Sequence, residues 1–141
     1  MFEGSDRIVF RGKGVVRGRF CGEALVTDMP ISFLGGVDPL TGMVVERGHE
    51  LRGKVLANKV LILPHGKGST VGSYVIYSLA KKGLAPRAMV TMKADIVILT
   101  GCVISGIPLL DGIPREALSA IRSGDMVEVD AFRGILRRIS R

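Results

Sequence analysis

The chain has no tryptophan, 5% aromatic residues and two cysteines among 141 positions. Each scarcity excludes something. Few aromatics leave no stacking platform of the kind that single-stranded RNA binders use. Cys21 and Cys102 stand far apart with no second cysteine or histidine at ligand spacing, so neither a zinc site nor a disulfide framework is indicated. A reducing, cytoplasmic setting is the expectation. No apolar run approaches the roughly 20 residues that cross a bilayer. The Met1-Phe2-Glu3-Gly4 start also lacks the basic-then-apolar order of an export signal. With no repeat, low-complexity tract or break in composition, one domain over residues 1–141 and no membrane partner are expected.

What the chain does have is glycine, apolar residues and positive charge. At 47% hydrophobic content and this length, a domain can bury roughly 70% of its unfolded surface without covalent staples. The net charge is +7. The excess clusters: Arg7, Arg11, Lys13, Arg17 and Arg19 come with no carboxylate between them, and Arg133, Arg137, Arg138 and Arg141 close the chain. Anionic partners are favoured. A solvated basic face accounts for the clusters better than a nucleic-acid groove, and a phosphorylated small molecule or an acidic protein fits at least as well.

Nineteen glycines separate short β-branched runs, which predicts many short strands. They fall at Arg7 to Phe10, Gly14 to Arg19, Ala24 to Thr27, Met43 to Val45, Lys54 to Leu56, Val60 to Leu63, Arg87 to Met92, Ile96 to Leu99, Met126 to Asp130 and Gly134 to Ile139. Two helices are predicted. One runs from Val71 to Lys81, closed by Gly83 and followed by Pro86; the other runs from Pro114 to Ile121, with Gly124 just beyond it. The expected fold is a strand-rich α/β domain with the long helix packed on the sheet.

Residues 60–83 carry the clearest functional signal. Val60-Leu61-Ile62-Leu63 suits an inner strand, Pro64-His65-Gly66-Lys67-Gly68 a sharp loop, and Ser69 or Thr70 the N-cap of the helix that follows. Gly66 and Gly68 would let backbone N–H groups approach a ligand. The helix dipole and Lys67 would then favour a carboxylate or phosphate. This is not a nucleotide-hydrolysing P-loop, because Gly68 follows Lys67 where a hydroxyl residue belongs and the first-glycine position holds leucine or isoleucine. For Ser69 the plainer role is a cap worth about 1 kcal/mol. Its place after two glycines, at the exit of a buried strand, argues for a site. His65 and His49 read as ordinary polar or structural groups. Gly35 to Gly42 reads as a loop held by turn chemistry, with Asp38, Pro39 and Gly42 at turn positions. Cys102, in the Gly101 to Pro108 stretch expected after a strand, reads as a small buried hydrophobe.

Several of these stretches also occur together in a known order. Glu23-Ala24-Leu25-Val26, Ile31-Ser32-Phe33 with Gly35-Gly36-Val37-Asp38-Pro39 and Thr41-Gly42, Pro64-His65-Gly66-Lys67-Gly68-Ser69-Thr70-Val71-Gly72-Ser73, and Gly83-Leu84-Ala85-Pro86 closely resemble the small subunit of the aconitase X family, from about Gly14 to Val129. One departure is Thr70, where the family commonly has a second serine. The resemblance implies a swivelling β/β/α domain like the mobile domain of aconitase. It also implies a dehydratase reaction, which for a separate polypeptide of this length is loss of water from mevalonate 5-phosphate to give trans-anhydromevalonate 5-phosphate; other members act on hydroxyproline isomers. The implied partner is a large subunit that forms a heterodimer with this chain and carries a 4Fe-4S cluster. Such a cluster needs several cysteine thiolates, which Cys21 and Cys102 cannot supply, so the chain is expected to hold no metal and to be inactive alone. Ser69 matches the family's proton acceptor. Gly66, Lys67, Gly68 and Thr70 would bind substrate, with Asp38 and Thr41 shaping the neighbouring wall. From the residues alone a non-catalytic basic module stays open, whether on nucleic acid or as a phosphohistidine carrier using His65.

Overall fold

A computed structural model describes residues Ile8–Arg141. An eight-stranded sheet in the order β1-β10-β9-β3-β5-β7-β8-β2 forms the frame. Its strands are β1 (Ile8–Arg11), β2 (Lys13–Val16), β3 (Arg19–Val26), β5 (Val60–Leu63), β7 (Ala88–Thr91), β8 (Leu109–Asp111), β9 (Met126–Asp130) and β10 (Ile135–Ser140). A small two-stranded sheet pairs β4 (Ile31–Ser32) with β6 (Gly66–Lys67) in parallel.

The large sheet bends into two layers because a central strand changes partner along its length and because one bent segment supplies both end strands. β3 pairs antiparallel with β9 through Arg19 to Glu23, then parallel with β5 through Ala24 to Val26. At the two margins β1 pairs with β10 and β2 with β8, and Gly12 alone separates them in the chain. A side chain at Gly12 has no space, since a Cβ there would lie 2.5 Å from the Asp111 carbonyl oxygen. Corners of this kind, made by strands that switch sheets, are how two packed sheets share one chain.

The alternation of side chains along the parallel strands then produces three layers. Val60, Ile62, Ala88, Val90 and Leu110 face β9 and β10, sharing a core with Val127, Val129 and Leu136. Leu61, Leu63, Met89 and Leu109 face the opposite way, onto the helices. After the single turn α1 (Phe33–Gly36), which adds Phe33, those helices are α2 (Gly72–Lys81) and α3 (Ile96–Ser105), which contribute Ile76, Leu79, Val97, Ile98 and Cys102. Strands buried on both faces lose the polar alternation of exposed sheets, which is why 60–63 reads as an unbroken apolar run. The short α4 (Glu116–Ala120) closes the two-sheet core with Ala117. The result is the expected strand-rich β/β/α arrangement. Among the described residues no helix is long and apolar enough to cross a membrane.

Several expectations change. Ile96 to Leu99 is not a strand but the first turn of α3: Asp95 caps it by accepting the Val97 N–H at 3.1 Å, and Gly106 ends it in the left-handed conformation. A short β-branched run cannot be told from a buried helix by pattern alone. Gly101 and Cys102 therefore lie inside a helix, where a Cβ at Gly101 would stand 2.6 Å from Ile76 Cδ1, so the glycine sets the α2–α3 approach. Met43 to Val45 and Lys54 to Leu56 reduce to two isolated bridges, Val37 with Val44 and Met43 with Val55, inside the long connection 37–59. The Gly14 to Arg19 run splits between β2 and β3 at Gly18. Pro114 to Ile121 shortens to α4. Arg7 lies outside the described residues. β4, β6 and β8 have no counterpart among the expected strands.

Candidate active-site loop

Strands β3, β5, β7 and β8 run parallel, and the loops leaving β5 and β7 emerge at one end of the sheet, where α2 and α3 begin. Open parallel sheets collect ligands at this end. The 64–71 loop is fixed there by its neighbours. Pro64 O accepts the Met92 and Lys93 N–H groups, each at 3.2 Å. The Gly66 N–H donates to Asp95 Oδ1 at 2.7 Å, so one carboxylate caps α3 and also holds the loop. That uses the Gly66 amide, which is not left for a ligand as the glycine-rich pattern suggested.

Beyond Gly66 the backbone opens. Gly68 adopts a φ of +88° and backs onto Ser32, whose hydroxyl would be 2.5 Å from a Cβ at that position. The backbone N–H groups of Gly68, Ser69 and Thr70 find no acceptor among the described residues. Three successive free amides at the head of a helix are the groups from which an anion cradle can be built. Ser69 and Thr70 are both exposed. The hydroxyl of Ser69 does not cap α2 as expected; the helix starts after Val71, and Ser69 Oγ accepts the Val71 N–H at 3.1 Å in a tight turn. A donor aimed at that oxygen favours its ionised form.

Lys67 stands beside this cradle, though not as the free charge expected of it. Its ammonium pairs with Glu46 Oε2 at 2.6 Å, while Glu46 Oε1 accepts the Ser32 N–H at 2.9 Å. Burial raises the Glu46 carboxyl, but the Lys67 ammonium and the Ser32 N–H outweigh it and hold the group below the ordinary carboxylate value. Half of the Lys67 side chain stays exposed, so its remaining N–H donors face solvent. Neither Glu46 nor Asp95 stands out in the sequence. Glu46 lies in a connection without motif; Asp95, directly before an apolar run, is the one that N-cap chemistry could have revealed.

Asp38 and Thr41 lie at the start of the 37–59 connection. Asp38 accepts from the Leu40 N–H at 2.9 Å and from the Thr41 hydroxyl at 3.0 Å, closing its own turn. That turn sits against the far end of α2, where Lys82 Nζ donates to Pro39 O at 3.0 Å. Asp38 also lines a shallow pocket with Phe33, Leu34, Gly35 and Val75, the last in the first turn of α2. His65 Nδ1 lies 2.6 Å from Gly66 O and His49 is buried with Nδ1 accepting the Leu51 N–H, both local contacts. Among the described residues no three His, Cys, Asp or Glu side chains converge as a metal site, and Cys21 on β3 and Cys102 in α3 occupy different layers. This chain's own residues do not fit an iron–sulfur cluster. Part of the basic surface is internally neutralised: Arg19 and Arg137 both bind Glu128, and Arg141 reaches Asp125.

A β/β/α domain that presents a serine, a lysine and a glycine-rich loop at the open end of its parallel strands defines a swivel-type domain. The chain belongs to the aconitase X swivel domain family, whose family model matches residues 9–138. The phosphomevalonate dehydratase small subunit of Methanocella arvoryzae is 52% identical over 126 residues, covering 89% of this chain and 96% of that protein. The subunit of the same name from Pyrococcus furiosus is 45% identical over 131 residues, covering 93% and 96%. Among solved structures, Thermococcus kodakaraensis aconitase X in its holo-form superposes with a TM-score of 0.89 at 43% identity, covering 94% of this chain and 99% of that one.

Proposed function

We propose that this chain is the small subunit of a hydro-lyase that converts (R)-mevalonate 5-phosphate to trans-anhydromevalonate 5-phosphate, with Ser69 as the proton acceptor. The observation that carries the reading is the exposed Ser69 hydroxyl, flanked by free amides and by Lys67 at a helix head. The relatives' printed name supplies the substrate class and the larger partner.

The reaction breaks a C–H bond α to the carboxylate and a C–O bond at the β carbon. Ser69 as alkoxide takes the α proton, the C–H electron pair becomes the new double bond, and the hydroxyl leaves. Drawing off that hydroxyl is Lewis-acid chemistry, assigned here to an iron–sulfur cluster on the larger subunit. The residues of this chain have a different task. Serine is a weak acid, each pKa unit of lowering costs about 1.4 kcal/mol, and a helix end supplies at most about 2. The Val71 N–H, the free amides and Lys67 add to that dipole, and enclosure by the partner excludes the water that would screen them. Gly66 and Gly68 shape the turn that aligns these donors. Asp38 and Thr41 would shape the neighbouring wall.

The test is the two-subunit enzyme assembled anaerobically with mevalonate 5-phosphate. Ser69→Ala is expected to assemble normally and lose turnover, while Lys67→Met raises KM. A fully assembled Ser69→Ala enzyme turning over at the wild-type rate places the base elsewhere.

A further inference from the structure

Glu46 is the one carboxylate in contact with the Ser69 loop that no motif announces, and its surroundings are specific. Its N–H donates to Gly36 O at 3.1 Å, which brings the 37–59 connection back beside β4. Its carboxylate then lies across Gly36: a Cβ at Gly36 would stand 2.7 Å from Glu46 Oε1. Gly36 thereby acquires a reason, while its neighbour Gly35, with open space around it, is required by its φ of +89°. One carboxylate oxygen takes the Ser32 N–H on β4 and the other takes Lys67 on β6, so the carboxylate spans the two-stranded sheet. Ser32 in turn lies against Gly68.

We infer that Glu46 is a positioning residue for the Ser69 loop, tethering the Lys67 ammonium so that it meets an anion already in place. A lysine on a flexible four-carbon stem gives up as much as ~2 kcal/mol of rotamer freedom when it is fixed. The tether moves that loss from substrate binding to folding. One end of the pair is largely enclosed and the other half exposed. Glu46 therefore holds, and Lys67 still presents N–H donors outward. The same contact tempers the charge: with a carboxylate at 2.6 Å, Lys67 steers an anion without binding it indiscriminately. The kinetic consequence rests on the function proposed above; the tether itself does not.

The test is Glu46→Gln, which keeps an oxygen for the Ser32 N–H and removes the charge. In the full chain, NMR relaxation at Lys67 Cε is expected to show loss of order, to the level of the exposed Lys54. In the assembled enzyme KM for mevalonate 5-phosphate is expected to rise about tenfold with kcat within about twofold, the pattern of lost substrate binding. In a Lys67→Met background the same substitution should add less than about twofold, because coupled groups are not additive. Unchanged Lys67 order overturns the inference whatever the kinetics show. An equal KM effect in both backgrounds overturns action through Lys67. Lost order with KM unchanged in Glu46→Gln and Lys67→Met alike upholds the tether and instead refutes the substrate role of Lys67.

Discussion

Gly68→Ala isolates the backbone requirement of the loop. Gly68 has a φ of +88°, and an added Cβ would stand 2.5 Å from the Ser32 hydroxyl. The first feature costs a non-glycine residue about 1 to 3 kcal/mol. The second forces the Ser32 side chain to turn away from Leu34 O, which it now reaches at 2.9 Å. Losing that hydrogen bond costs about 1 kcal/mol. The sum is about 2 to 4 kcal/mol, a fall in Tm of roughly 6 to 16 °C for a chain of this size. Urea unfolding followed by circular dichroism gives the number. Repeating the substitution in a Ser32→Ala background separates the two parts, since the hydroxyl is then already gone and about 1 to 3 kcal/mol of backbone strain remains. A Gly68→Ala chain within about 0.5 kcal/mol of wild type, the range of ordinary surface changes, refutes the strained geometry. A cost equal in both backgrounds refutes the contact with Ser32.

Two further outcomes follow from buried groups away from the loop. Glu128 is held below the usual carboxylate value by Arg137 first, against the opposing effect of burial, and then by Arg19. Such a depressed group stabilises the fold above its unfolded value near about 4.3 and stops doing so as pH falls through its lower folded value. Glu128→Gln is therefore expected to cost about 1.5 to 3 kcal/mol at pH 7, with the gap to wild type closing in urea titrations below about pH 4; a gap that widens in acid contradicts the assignment. Burial, and then the charge of Asp95, push the Cys102 thiol up to about 12, while Cys21 is exposed. Mass spectrometry after iodoacetamide treatment near pH 8 should find Cys21 alone labelled in the native chain and Cys102 labelled only in denaturant; native labelling of Cys102 argues against its packing.

How much was legible in the sequence depends on the range of the interactions. β5, α2 and the loop between them could be read because each is specified locally, by an apolar run, a proline, two glycines and a helical period. α3 was half missed because Ile96 to Leu99 has the composition of a strand; only Asp95 before it and Gly106 after it mark a helix, and both are single residues. β4 and β6 are two residues each, set by the pairing of Ile31 with Gly66 and Ser32 with Lys67, which no local pattern encodes. The site divides the same way. Ser69, Gly68 and Thr70 lie in one contiguous motif, whereas Glu46 enters through a carboxylate brought from a distant connection. Asp38 and Thr41 close their own turn by hydrogen bonds that local turn chemistry announces, whereas the pocket that Asp38 shares with Val75 depends on a long-range approach to α2.

The corner strands also limit how a companion can attach. Among the described residues the margins of the large sheet are two four-residue halves of a single bent segment, β1 and β2, folded about Gly12. Margins this short offer few unpaired backbone groups in register for another chain to extend. Recognition by a second polypeptide is thereby diverted from main-chain pairing to side chains, and with it the choice of companion becomes a property of individual residues that substitution can tune without disturbing the frame.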